Sequence, residues 1–271
     1  RRNALSDFVN IKANGKIAMK LEAGERLVAV VTCSEDQDVL LSAAGGKAIR
    51  FAVGEVRLFT GRTSTGVRGI KLADGDEVIS LSMLRHSEAT VGERAAYLRM
   101  VAQRRRGEGE PAEEIGVDVA DEGASQDGAS EDAAAVTLSD ERFAQLAAEE
   151  EFILTVTIKG YGKRTSSHEY RVSGRGGSGI ANIDVTERNG RVIASLPVAH
   201  QDQMILVTDG GQLIRIPVDD IRIAGRKTQG VTLFKVEGSE RVMSVTRLIT
   251  DDGTTADGAP PAGAAESENG G

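Results

Sequence analysis

Arginine and lysine supply most of the chemistry this chain can offer, and they recur at a fixed spacing. Arg50, Arg164 and Arg215 each stand four residues after a glycine, in Gly46-Lys47-Ala48-Ile49-Arg50, Gly160-Tyr161-Gly162-Lys163-Arg164 and Gly211-Gln212-Leu213-Ile214-Arg215. A second set, Arg62, Arg175 and Arg226-Lys227, occupies the loop ahead of a glycine-led apolar segment. Cations at equivalent positions of a repeat fall along one rim, and a rim of fixed positive charge is a track for phosphates. The plain alternative is solubilising surface charge, but scattered charge would not keep the phase of a repeat.

Other chemistries have less behind them. The single cysteine, Cys33, lies in the apolar run Val30-Val31-Thr32-Cys33 and reads as a buried structural thiol with no internal disulfide partner. His86, His168 and His200 lack the spacing of metal ligands. Gly174-Arg175-Gly176-Gly177-Ser178-Gly179 is rich in glycine but leads into a strand, so no helix N-terminus would face a phosphate there. Tyr97, near Arg94 and Arg99, superficially suits a nucleophile for strand cleavage, yet it lies on an expected helix out of phase with the repeats. Tyr161 and Tyr170 read as packing residues. No catalytic, cofactor-binding or metal-binding residue is expected.

The elements that hold the cations in phase come from an internal repeat. Gly15, Gly66, Gly179 and Gly230 each open a segment of the Gly-Val-Arg-Gly-Ile-Lys-Leu type, at intervals of 51, 113 and 51 residues. The middle interval therefore holds one repeat and 62 further residues. Gly24, Gly75, Gly190 and Gly238 give a third landmark in the same phase. Short β-branched runs at 27–31, 39–41, 48–51, 56–59, 67–72, 152–158, 203–208 and 213–216 predict antiparallel strands separated by glycine and aspartate turns.

About four short strands per 50 residues predict an all-β, propeller-like array of four-stranded antiparallel blades forming a partial ring; a solenoid of hairpins is the competing form. Residues 1–85 hold a truncated first repeat, which lacks its own glycine-to-arginine hairpin, and a complete second one. Residues 151–249 hold the third and fourth. Between them 86–150 is an acidic insertion, helical at 93–106 and 139–150 and disordered over 107–135, and 250–271 is a disordered acidic tail. The start at Arg1-Arg2-Asn3, without methionine, reads as that of a fragment.

The formal charge of −8 conceals a basic body. The insertion carries sixteen Asp or Glu against six Arg and the tail five acids against no base, which leaves the repeats at +7. No apolar run approaches the ~18 residues of a membrane span and no secretory leader opens the chain, so a cytoplasmic protein is expected.

Thr63-Ser64-Thr65-Gly66-Val67-Arg68-Gly69-Ile70-Lys71-Leu72, with Gly75-Asp76-Glu77-Val78-Ile79, resembles the C-terminal domain of the bacterial DNA gyrase A subunit. So do Gly160-Tyr161-Gly162-Lys163-Arg164-Thr165, Val185-Thr186-Glu187-Arg188-Asn189-Gly190 and Gly225-Arg226-Lys227-Thr228-Gln229-Gly230-Val231. The resemblance covers about 1–85 and 151–249. It implies a β-pinwheel of six blades, of which this chain supplies the later ones, wrapping double-stranded DNA on a basic rim to support ATP-dependent negative supercoiling. Candidate DNA contacts are then Lys47, Arg50, Arg62, Arg68 and Lys163, together with Arg164, Arg175, Arg215, Arg226 and Lys227.

ATP and Mg2+ would be used elsewhere in the holoenzyme, an A2B2 assembly with the rest of gyrase A and gyrase B, associated with the nucleoid. The family's Gln-Arg-Arg-Gly-Gly-Lys/Arg-Gly box is not in this chain. Ser173-Gly174-Arg175-Gly176-Gly177-Ser178-Gly179 occupies the matching place in a later blade, and Gln103-Arg104-Arg105-Arg106-Gly107-Glu108-Gly109 lies out of phase in the insertion. The related domain of topoisomerase IV, or a bladed protein-interaction module without DNA, are the alternative readings.

Overall fold

The computed structural model describes residues 1–107 and 136–249. In chain order, β1 (Gln37–Ala43), β2 (Lys47–Ala52) and β3 (Val78–Arg85) belong to the second repeat. Helices α1 (Val91–Gly107) and α2 (Asp140–Glu149) belong to the insertion. The third repeat holds β4 (Phe152–Thr157), β5 (Tyr161–Ser166), β6 (Ile180–Ala181) and β7 (Val192–Val198). The fourth holds β8 (Gln203–Thr208), β9 (Leu213–Pro217), β10 (Val231–Thr232) and β11 (Val242–Leu248).

All pairing within the sheets is antiparallel, and the strand orders are β3-β1-β2-β6, β10-β5-β4-β7 and β11-β8-β9. Each short glycine-led strand bonds into the sheet of the repeat before its own: Ala181 pairs with Lys47 and Thr232 with Tyr161. A repeat therefore completes its predecessor's blade. Among the described residues the third sheet has three strands.

The hairpin turns show why glycine recurs there. Gly46 and Gly160 have φ of +88° and +76°, a region where a side chain is strained. A Cβ would also lie 2.5 Å from the Ile183 carbonyl at Gly46 and 2.5 Å from the Phe234 carbonyl at Gly160. The next repeat's chain crosses directly over each turn, and only a hydrogen fits between.

The core lies between successive sheets. Leu40, Leu84, Ile153, Tyr170 and Ile180 form one buried cluster across the second and third repeats; Leu154, Val156, Met204, Leu206, Ile221 and Val242 form part of another across the third and fourth. Burying such a side chain contributes about 1.5–3 kcal/mol, so the stack is held mainly by apolar contact between sheets. Central β4 has all six residues buried, because both its faces are covered.

Three expected strands do not form. Residues 56–59 make one parallel bridge, Leu58 with Arg2, while 27–31 and 67–72 join no ladder among the described residues. Leu27, Val28 and Val30 are exposed, because no hairpin among the described residues lies beside them. Cys33 belongs to the same segment and is exposed, not buried.

The two helices stand where the sequence places them. Thr90 Oγ1 accepts from the Glu93 amide while Glu93 Oε2 accepts from the Thr90 amide, a reciprocal cap that starts α1. Ser139 Oγ accepts from the Arg142 amide at the head of α2. Arg142 Nε then donates to Glu93 Oε1 at 2.7 Å, and this bond holds the Glu93 carboxyl down at about 2. The helices share a small core of Ala96, Tyr97, Leu98, Leu138 and Leu146. Of the disorder expected over 107–135 and 250–271, Gly107 instead ends α1, and the rest falls outside the described residues.

Candidate nucleic-acid interface

The recurrent arginines are in repeat phase, but two of the three hairpin arginines point inward. Arg50 is 3% exposed and Arg164 5%, while Arg215 is exposed. Arg50 Nε donates to Asp38 Oδ2 at 2.8 Å, Nη1 to the carbonyls of Ser167 and Tyr170, and Nη2 to that of Arg85. Burial pulls this guanidinium below its ordinary value, and the Asp38 carboxylate opposes the pull. Arg164 Nε donates to the Ile221 carbonyl at 2.6 Å, while Nη1 and Nη2 reach Asp219 Oδ1 and the Asp219 carbonyl. The expectation that Arg50 and Arg164 lie on an outer rim is therefore corrected. Their cause of burial is the 3-10 turn of the following repeat, Ser167–Glu169 or Val218–Asp220, which packs onto them.

Lys163 and Arg226 are corrected as well: the 225–228 loop of the fourth repeat covers Lys163, and Arg226 in that loop faces back onto the third repeat. Lys163 is fully buried, its ammonium surrounded by the carbonyls of Gly225, Arg226 and Thr228 and the Thr228 hydroxyl. Arg226, 3% exposed, donates from Nη1 to the Ala181 carbonyl, and its amide donates to Glu169 Oε2. Burial pushes the Glu169 carboxyl up to about 7, and its other oxygen has no hydrogen-bond partner among the described residues. Tyr170, fully buried, donates to Asn182 Oδ1, and burial raises its phenol. Tyr97 is likewise interior, bonded to Glu150 Oε2 at 2.9 Å and raised by burial.

The remaining candidates meet solvent. Lys47, Arg68, Arg175, Arg215 and Lys227 are exposed and Arg62 is half-buried. Arg175 also reaches back to the carbonyls of Glu55 and Arg68, and Arg62 to that of Ile17, so both brace loops.

Besides Lys47, four cations absent from the sequence-based set, Lys71, Lys159, Arg188 and Arg191, stand at the glycine-turn ends of the sheets. Lys47, Lys71 and Arg191 line a groove of about 540 Å3 with Gly45, Gly75 and Ser178, where Asp74 and Asp76 also stand. Arg191 Nη2 lies 3.5 Å from Asp76 Oδ1. At the next turn Lys159 donates to the Glu187 carbonyl, and Arg188 lies 5.2 Å over the Tyr161 ring while donating to its hydroxyl. That bond lowers the Tyr161 phenol. Lys71 and Arg188 stand in the very segments that carry the repeat signature, but an in-phase basic partner in every repeat is missing, so recurrence alone does not select them.

Arg2 is a further residue that the spacing hides. Its parallel bridge to Leu58 matches those of Arg50 to Val172 and Arg164 to Ile223, so its backbone holds the hairpin arginine's place for the first repeat.

The family described as DNA gyrase C-terminal domain, beta-propeller, matches residues 2–34, 37–85, 151–199 and 202–248. The DNA gyrase A subunit of Granulibacter bethesdensis is 52% identical over 270 residues, covering 97% of this chain and 28% of that protein. Its counterpart in Rickettsia bellii, also a DNA gyrase A subunit, is 42% identical over 252 residues, covering 92% of this chain and 26% of its own. The chain thus spans under a third of these relatives. Among solved structures, the C-terminal domain of DNA topoisomerase IV superposes with a TM-score of 0.62 at 18% identity, covering 91% of this chain and 57% of that one. The DNA gyrase A C-terminal domain gives 0.60 at 18%, covering 91% and 61%. At that identity both attest the fold alone.

Proposed function

This chain belongs to the DNA gyrase C-terminal domain family, and on that premise we propose that it binds duplex DNA and wraps it along the cation-bearing turn ends of its blades. The observation that carries the reading is the basic body: the repeats hold +7 while the insertion and tail hold the acid. Exposed Lys47, Lys71, Arg191, Lys159 and Arg188 then concentrate at two successive glycine turns. Cations there neutralise phosphates and release counterions, and base edges need not be read.

Bending 20–30 base pairs by 40–90° costs on the order of 1–6 kcal/mol, so an arc of several such clusters is needed, which a stack of repeats provides. Within the longer protein the domain would present a wrapped segment to a strand-passage centre, in an assembly of gyrase A and gyrase B that spends ATP to introduce negative supercoils. Its place of work would be the nucleoid of the cytoplasm; no helix among the described residues is long and apolar enough to cross a membrane. The relatives, both gyrase A subunits, favour this reading over the topoisomerase IV counterpart.

The test is DNA affinity against salt for the parent chain and for K47A/K71A/R191A. Each lost phosphate contact should lower the slope of log K against log salt by about 0.9. An unaltered slope would move the DNA path away from this groove.

A further inference from the structure

The arginines that turn inward repeat not only in sequence but in what they grasp. Arg50 donates to the carbonyl of Tyr170 and Arg164 to that of Ile221, and these two acceptors are 51 residues apart, the length of one repeat. Each arginine ends a hairpin of one repeat and seizes the 3-10 turn of the next. Its backbone is pinned as well: Ser173 donates to the Arg50 carbonyl at 2.9 Å, and Ala224 to that of Arg164 at 2.8 Å. A residue fixed at backbone and guanidinium to two successive repeats leaves the joint between them little freedom to rotate.

The insertion adds a second hold at one of these joints. Arg94 Nη1 of α1 donates to the carbonyl of His168, between the two carbonyls taken by Arg50, at 3.0 Å. His168 Nε2 lies 2.9 Å from the Leu146 carbonyl of α2, and the Tyr97 ring meets the imidazole edge-on at 5.0 Å. Arg85 Nη1 reaches the Ala148 carbonyl on the same side. At the following joint the turn residue equivalent to His168 is Asp219, which is exposed and bonded to Arg164 and His200.

We infer that Arg50 and Arg164, braced at one joint by Arg94 of the helical insertion, are positioning residues that set the angle between successive blades and thereby the path of wrapped DNA, without touching it. The inference rests on the wrapping reading above. The guanidinium groups of Arg50 and Arg164 are themselves buried, at 3% and 5% exposure, and their nitrogens are taken up by acceptors of the joint, so a phosphate could reach them only by displacing those partners. Lysine could not substitute, since one ammonium cannot span the Ile221 and Asp219 acceptors as a planar fork does. The insertion, on this view, stiffens the arc between the second and third repeats.

The experiment uses the full-length enzyme assembled with its partner subunit, in the parent form and as R164K and R94Q. Two quantities are read: the salt slope of DNA affinity, and the linking-number difference trapped when nicked circles are sealed on the enzyme without ATP. The expected result is an unchanged slope with a reduced linking-number difference in both variants. R94Q changes only the insertion, so it remains informative if R164K fails to fold.

A slope lowered by about 0.9 in either variant would make that arginine a phosphate contact and overturn the inference. So would an unchanged linking-number difference in both. A parent enzyme that traps no linking-number difference would instead refute the wrapping reading itself.

Discussion

Arg50 and Arg215 occupy the same repeat position in opposite surroundings, which makes them a matched test of burial. Arg50 is tied to Asp38, itself 0% exposed, and to two carbonyls of the next repeat. Arg215 is exposed, with Nε on Gln203 Oε1. Removing Arg50 leaves the buried Asp38 carboxylate with only the exposed His86 imidazole, 2.7 Å from its other oxygen, and breaking a buried pair costs about 3–5 kcal/mol. Removing Arg215 takes away one surface contact, worth at most about 0.5 kcal/mol.

Urea denaturation of R50A and R215A, followed by circular dichroism, should therefore separate the two midpoints widely. The double variant R50A/D38A should recover part of the loss, because no charge is then left buried alone. Equal midpoints for R50A and R215A, or no recovery in the double variant, would refute the assignment of Arg50 to the joint.

Glu169 carries a pH signature. With its carboxyl raised from 4.5 to about 7, the folded chain holds a proton that the unfolded chain has released. Stability should fall as pH rises through that window and level off above it, by on the order of 3 kcal/mol in total, and E169Q should flatten the profile. The hairpin glycines offer a second contrast: Gly160 and Gly211 both have positive φ, but a Cβ meets the Phe234 carbonyl at 2.5 Å in the first and nothing within 4 Å in the second. G211A should cost about 1–2 kcal/mol from backbone strain alone, and G160A measurably more in the same denaturation assay. For DNA, R215A should lower the salt slope by at most about 0.9 if Arg215 meets a phosphate, whereas the groove triple variant should lower it by more.

Much of the architecture was legible because it rests on periodicity. The 51-residue spacing placed the hairpins, and the two helices lie in the stretch between repeats where helical segments are expected. What periodicity cannot convey is which way a side chain faces once a neighbour arrives. Arg50 and Lys163 sit on strands where polar residues ordinarily meet water, yet the following repeat covers them. The runs at 56–59 and 67–72 have strand-forming residues but no adjacent ladder, and β propensity does not act without a partner. Lys71 and Arg191 carry no such signal because folding across repeats brings them together, and Arg188 because its partner Tyr161 lies far along the same repeat.

The borrowed strands β6 and β10 have an implication for how such a chain can be cut or rebuilt. Since β5 is bordered by Val231 and Thr232, trimming the fourth repeat strips an edge from the third, and trimming the third then bares β2. Degradation from that end would peel the stack blade by blade, each time exposing fresh unpaired amides and carbonyls open to sticking. A lone repeat is consequently not a transplantable part; the smallest graft that carries a finished sheet is a pair.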